Sequence, residues 1–545
     1  MPSESLDHTA RDDERGLTRA DLLRRAAAGS ALLVGGGLLS ACGSSASSTT
    51  QSAAPASAAR SGGTLRIGAT GGGAKDVIDA NSATADTDIV RVASLYEPLA
   101  QPTPDFKSVE MVLAESIEPV QGRADMWDIR LRSGVEFHNG KTLSADDVIY
   151  SIRRIVNPKN PGVGAASIGY INLNGLKKMD SLTVRVPLTI KNAGFVDDLG
   201  QYFNVIVPVG YDPHNPVGTA AFQYQSFTPG QQSVFTKFPH YWQTGLPKVD
   251  KLVIIDFTDD TARVNALLGG QIDLADTLPT AELGEIQSNS SLRLINNPSG
   301  SWQPFTMRVD QAPFDDVRVR QAFRLIAGRP QLLEQVLSGS GSVANDLYGR
   351  YDPAYNSSLP QRVQDLAQAK SLLKQAGHSG LTVELVTSPV FQGIVQAAEV
   401  FKQQATGAGV TVQLRQVDTG TFYGPNYLKW TFAQDFWGPR RYLSQVAQGS
   451  LPNSPFNETH WATGSDPTSK QFLSLIAQAR AELDDAKRTQ LIQAAQKLEY
   501  DSGGYIIQYF SNYIGAYSSK LAGIPAGVQA TFLLAPQFKQ MGFTT

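Results

Sequence analysis

Three stretches of this 545-residue chain hold residue types that could do chemistry. The first is Gly134 followed by Gly140-Lys141-Thr142, which resembles a phosphate-cradling loop. A P-loop places four residues between its glycines and opens a helix at the lysine. Here five intervene, and the helix signal starts only at Ser144, so a nucleotide site is rejected. The second is Gly377-His378-Ser379-Gly380, an approximate nucleophile elbow whose second glycine comes one place early. The third is Phe432-Ala433-Gln434-Asp435-Phe436-Trp437-Gly438-Pro439-Arg440-Arg441. It gathers a carboxylate, three aromatic rings and two guanidinium groups, the set that a cleft uses to orient a charged ligand. Arg440 or Arg441 can meet a ligand carboxylate through a bidentate fork.

Metal and redox chemistry find little support. There is one cysteine, Cys42, so no disulfide and no multi-thiolate zinc site can form within the chain. The six histidines (8, 138, 214, 240, 378 and 460) never fall at HxxxH spacing, and HExxH, CxxC and GxGxxG are absent. No metal, no cofactor and no enzymatic activity are expected. A carboxylate pair of the glycosidase kind is set in space and cannot be read from spacing.

The elements around these groups follow from periodicity. Trp127, Ile129 and Leu131 alternate with polar residues, which predicts a half-buried strand. Ser133-Gly134 interrupts it, Val135 and Phe137 restart the alternation, and Asn139-Gly140 predicts a tight turn. Ser144 stands as an N-cap with Asp147 at the third helical position, close to a capping box. Val148, Ile149, Ile152 and Ile155 continue at helical spacing. Further helices are predicted over 90–99 and 367–377, the second closed by Gly377. Strands and helices alternate in two separate regions, which argues for mixed α/β lobes.

Composition narrows the class. The chain is too long for one core, with 41% hydrophobic and 18% charged residues and a net charge of −3. Nucleic acid is not an expected partner. Residues 26–41 are apolar or small, too short a run for a comfortable span and suited to a signal segment. They end in Leu39-Ser40-Ala41-Cys42, which resembles a bacterial lipobox and makes Cys42 the lipidation candidate. One acyl chain anchors weakly, and the diacyl modification implied by that resemblance meets the need for more than one. Thr18-Arg19-Ala20 departs from a twin-arginine motif at Ala20, which leaves the export route open. Residues 43–59 are an uncharged Ser/Ala/Thr/Pro tether.

The pattern LR-x-GV-x-FH-x-G-x-x-L-x-ADDV-x-YS within 130–151 closely resembles the signature of the extracellular solute-binding proteins of family 5, the peptide and nickel receptors of ABC importers. GGTLRIG at 62–68, YEPL at 96–99, LAESIEP at 113–119, Tyr241-Trp242, Pro313 to Ala322 and LLKQAG at 372–377 resemble it too. The resemblance implies a two-lobed periplasmic-binding-protein-like α/β fold (type II, cluster C) with an additional domain and a hinge. It implies a signal segment at 1–41, a tether at 42–61, a discontinuous domain I (62–98, 217–308 and 512–545), domain II at 99–216 and domain III at 309–511. It also implies a monomeric lipoprotein on the outer face of the cytoplasmic membrane. Such a receptor delivers a solute, foremost a peptide, to a permease driven by separate ATPase subunits. Nickel chelate, oligosaccharide and opine are the alternatives within the class; a secreted α/β hydrolase is the alternative outside it.

By the same resemblance, Asp435 would hold a ligand amino group and Phe432 would line the cleft. A solvated turn remains the other reading of Asp435. Trp302, Trp437 and Trp461 complete the set of candidate ligand-binding residues with Arg440, since large aromatics line permissive pockets.

Overall fold

The computed structural model describes residues 59–544. The expected signal segment, Cys42 and nearly all of the tether lie outside them. Among the described residues no helix is long and apolar enough to cross a membrane.

Three sheets organise the chain. The largest has eight strands in the order Leu292–Trp302, Tyr509–Ser518, Leu274–Asp276, Thr64–Thr70, Lys251–Phe257, Gln232–Lys237 and Phe222–Thr228, with Gly341–Val343 beside Tyr509–Ser518. Thr64–Thr70 is parallel to both of its neighbours, and the other pairs are antiparallel. Leu65, Ile67, Leu252, Ile254 and Phe235 fill the core against one face of it. Fully burying each such side chain stabilises the fold by about 1.5–3 kcal/mol. A four-stranded sheet joins Ala114–Pro119, Met126–Leu131, Thr183–Pro187 and Lys177–Lys178 over its own core. A five-stranded sheet joins Thr411–Gln416, Thr382–Thr387, Phe432–Gln434, Phe305–Met307 and Tyr505–Ile506. This is a mixed α/β architecture.

The 127–155 stretch folds as scaffold. The predicted strand is Met126–Leu131, with Trp127, Ile129 and Leu131 buried. The predicted restart of alternation does not make a second strand. Val135 and Phe137 are buried, but the loop closes on itself through Phe137 N–H to Lys141 O (2.8 Å) and one bridge between Glu136 and Thr142. Gly140 turns it at φ 80°, a conformation that costs side-chain-bearing residues energy. Asp147 completes the cap of helix Ala145–Ile155 by accepting the Ser144 N–H at 2.9 Å and its hydroxyl at 2.8 Å. The Lys141 ammonium is bonded to the same buried carboxylate, so its charge is used inside the fold and not on a phosphate.

The helix predicted over 90–99 is Asp86–Leu95. It stops early because Glu97 precedes Pro98, and a residue before proline is pushed out of the helical region. The helix predicted over 367–377 is Leu366–Gln375, with Gly377 just beyond it at φ 80°.

Candidate functional site

A cleft of about 900 Å³ opens between the eight-stranded sheet and the elements carrying the five-stranded sheet. Asp86, Thr277, Tyr513 and Thr531 contribute to the first wall, and Gln303, Phe391, Phe436, Trp437 and Pro439 to the second, joined by Trp302 at the end of the strand Leu292–Trp302. Local backbone pairing builds the second wall. Trp302 N–H donates to Trp437 O at 3.0 Å, and Trp437 N–H donates to Trp302 O at 2.9 Å. That two-way bridge stacks the indoles, with centroids 5.9 Å apart and planes 12° from parallel. Tyr348 stacks on Trp302 at 5.3 Å, and Tyr442 on Tyr348 at 5.2 Å. The cleft therefore meets the end of a four-ring column, a rigid apolar surface with little side-chain entropy left to lose. Phe391 and Phe436 add a second stacked pair, at 4.7 Å.

Trp302 and Trp437 thus line the cleft, while strand parity redirects their neighbours. Side chains of Phe432–Gln434 alternate across the sheet. Phe432 and Gln434 face the large core. Phe432 is 1% exposed and packs on Phe305, Phe314, Phe323 and Phe401, which corrects its expected place in the cleft. Trp461 is corrected too. It is buried against Phe472, 4.6 Å away, in a helical core and not on the cleft wall.

Asp435 takes the other face with Ala433. It lines a separate small recess with Glu458, Tyr427 and Trp430 instead of the main cleft. It is not a solvated turn residue, being 4% exposed. Its carboxylate accepts the hydroxyls of Tyr423 (2.8 Å) and Tyr427 (3.0 Å) and the Phe436 N–H (2.8 Å). Burial raises the Asp435 pKa above the usual carboxylate range, against the hydrogen bonds that lower it. Glu458 beside it is buried, with neither carboxyl oxygen hydrogen-bonded among the described residues. Burial first, and Asp435 second, push its pKa well up. Two neighbouring buried carboxyls disfavour ionisation of both at once.

Arg440 lies half-buried over the Trp437 ring, 5.3 Å from its centroid. Among the described residues no carboxylate stands within 4.0 Å of it, and burial lowers its pKa. Arg441 is already occupied, donating to Tyr351 O at 2.7 Å and Lys107 O at 3.0 Å. The cleft therefore presents aromatic surface, while the Arg440 guanidinium over Trp437 and the Asp435 and Glu458 carboxyls in their own recess are not among its lining residues. Among the described residues no group of three His, Cys, Asp or Glu is arranged to hold a metal.

Sequence reasoning overlooked Phe436, Phe391 and Asp86 and did not select Glu458. Phe436 was available from the parity of the 432–437 stretch. Asp86 had no local signal, because only the fold places it in the same cleft as Trp437.

Residues 108–450 match the family model described as bacterial extracellular solute-binding proteins, family 5 Middle. The dipeptide-binding protein of Escherichia coli (strain K12) is 28% identical over 442 residues, which covers 72% of this chain and 80% of that one. A Helicobacter pylori periplasmic binding protein, DppA, solved with the peptide STSA, superposes with a TM-score of 0.75 at 20% identity, covering 89% of this chain and 99% of its own. The binding protein AgaA of A.tumefacien R10, solved with agropinic acid, gives 0.75 at 21% identity, covering 88% and 99%.

Proposed function

This chain belongs to the bacterial extracellular solute-binding proteins of family 5, the substrate-binding components of ABC transporters, and on that premise we propose that its cargo is a peptide held in the interlobe cleft. One observation carries the reading. Trp302, Phe436 and Trp437 wall the cleft, with Arg440, which has no carboxylate partner among the described residues, over the Trp437 ring and the buried carboxyls of Asp435 and Glu458 in a recess of their own. A peptide has the complementary charges, a terminal carboxylate for Arg440 and an α-ammonium for Asp435 with Glu458. Trp302, Trp437 and Phe436 supply contact area that does not specify side-chain identity, which suits varied cargo.

Binding works by closure. The three domains, divided at 98/99, 216/217, 308/309 and 511/512, make two lobes that close about a hinge. Ligand that touches both walls favours the closed form by its differential affinity, and the permease reads that form. The chain acts as a monomer without catalysis, and ATP is hydrolysed by separate subunits. Cys42, diacylated after export, anchors it on the outer face of the cytoplasmic membrane, and the 42–61 tether lets the lobes reorient.

The test is mass spectrometry of small molecules released from the purified chain, followed by thermal-shift titration of those identified. Peptides are the expected finding. A sugar, a metal chelate or an opine would replace the peptide reading, and the stacked indoles suit a flat polar ligand of that kind. With a peptide in hand, Asp435→Asn should weaken the free-amino form at least ~10-fold more than the N-acetylated form. That ratio is about 1.4 kcal/mol. Equal loss for both would remove Asp435 from amino recognition.

A further inference from the structure

Phe532 stands where the cleft ends. Among the described residues it is the one that lines both the cleft and a second, smaller cavity beside it. Two elements run from one space into the other. On the helix Asp86–Leu95, Asp86 and Ile89 line the cleft, and Ala93 and Ser94 line the second cavity. On the helix Thr531–Leu534, Thr531 lines the cleft and Leu533 the second cavity, with Phe532 between them. From Ile89 to Ala93 the helix rises about 6 Å, at roughly 1.5 Å per residue.

The half-buried ring of Phe532 fills that interval. It packs on Tyr202, with centroids 5.6 Å apart and planes at 35°. It also reaches the second wall at Gly438, where an added methyl group would lie 3.9 Å from Phe532 Cε1. The partition is thus one aromatic ring laid against a backbone that carries no side chain. A phenyl ring has no polar atom, so packing alone holds it there. The charged residues lining the second cavity, Glu97 and Lys539, are spent within the fold. Lys539 donates to the Tyr241 hydroxyl at 3.0 Å and stands 3.9 Å from Glu97 Oε1, and Glu97 accepts the Tyr241 hydroxyl at 2.6 Å and the Trp242 indole N–H at 3.0 Å. Tyr96, Pro98, Val205 and Phe222 supply apolar wall. The second cavity is room beyond the end of the cleft rather than a separate charged site.

We propose that Phe532 sets the length limit of the cargo: its ring stops the ligand at one end of the cleft, and the second cavity is the extension that the ring denies. The inference rests on the peptide reading for its probes but not for the partition. An extended peptide advances about 3.4 Å per residue, so a step of ~6 Å corresponds to roughly two residues.

Titration of the full chain with alanine peptides from dialanine to hexaalanine tests the limit. Affinity in the wild type should fall at least ~10-fold at one step of the series, and Phe532→Ala should move that step to peptides longer by roughly two residues. Loss of packing alone would weaken every length alike, and Phe532→Leu tests the same shift if Phe532→Ala does not fold. Mass spectrometry of molecules released from the two purified chains reads the limit for any class of cargo, since the variant should retain heavier ones. Heavier cargo that is not peptide, with no alanine peptide bound, would remove the peptide reading and keep the partition. No step in the wild-type series, a step that the substitution leaves in place or, where no alanine peptide binds, an unmoved mass range would overturn the partition.

Discussion

Replacing His138 should remove much of the acid sensitivity of the fold below pH 6.5. The imidazole sits at the tip of the 134–143 loop and locks it onto the 218–222 segment. Gly218 N–H donates to Nδ1 at 3.2 Å, so Nε2 carries the proton and donates to Ala220 O at 2.9 Å. Phe238 packs edge-on at 4.9 Å. A second proton would set two N–H donors against each other at Nδ1, and burial already lowers the pKa from 6.5 to about 4. The sign follows from linkage. The unfolded chain binds the proton first, so this stability is complete above pH 6.5 and is lost as pH falls toward 4. At about 1.4 kcal/mol per pH unit, roughly 2 kcal/mol disappears by pH 5 and about 3 kcal/mol by pH 4. Urea unfolding of wild type and His138→Asn between pH 7 and 4.5 measures it. Asn loses the ring packing, so the variant is weaker at pH 7, but the gap should narrow by about 2 kcal/mol at pH 5. Asp86 and Glu499, both pushed up to about 7, titrate alike in the two chains and cancel in the difference. A gap constant within ~0.5 kcal/mol, or a His138 ring titrating near 6.5 by NMR, would refute the argument.

Other substitutions probe the site and its support. Phe432→Ala should cost about 3–5 kcal/mol in denaturant unfolding and leave ligand affinity within twofold, as expected of a core ring. Trp437→Ala should instead lower affinity at least ~10-fold, since it removes the cleft end of the aromatic column. Arg440→Gln should weaken C-terminally free peptides at least ~10-fold more than their amides, and equal weakening would take Arg440 out of carboxylate recognition. Asp346 is buried within 4.0 Å of Arg324, Arg329 and Arg362, which together outweigh burial and hold its pKa below the usual range. Asp346→Ala strands those charges and should cost about 3–5 kcal/mol or prevent folding.

Local chemistry was legible in the sequence wherever its causes are local. The strand at 126–131, the cap at Ser144 with Asp147, the turn at Gly140 and the stop before Gly377 each depend on neighbours a few residues away. The family pattern is equally local, and its densest part builds scaffold: Lys141 and His138 are both spent on holding loops together. Alternation misled at Val135 and Phe137 because burying every second residue does not require a partner strand.

By itself the sequence determined the α/β class, the solute-binding family, and the stretch from 432 to 441 as the place where aromatic and charged groups converge. Only the tertiary structure decided which of those groups face the ligand. Side chains change face at every residue along a strand, so pairing Phe432–Gln434 with Phe305–Met307 and Thr382–Thr387 sends Phe432 into a core and Asp435 into its own recess. The Trp302–Trp437 stack and the meeting of Asp86 and Thr531 in the cleft lining have the same origin. Their members are brought together by strand pairings and packing across more than a hundred residues of chain, and no spacing in the sequence records a contact of that kind.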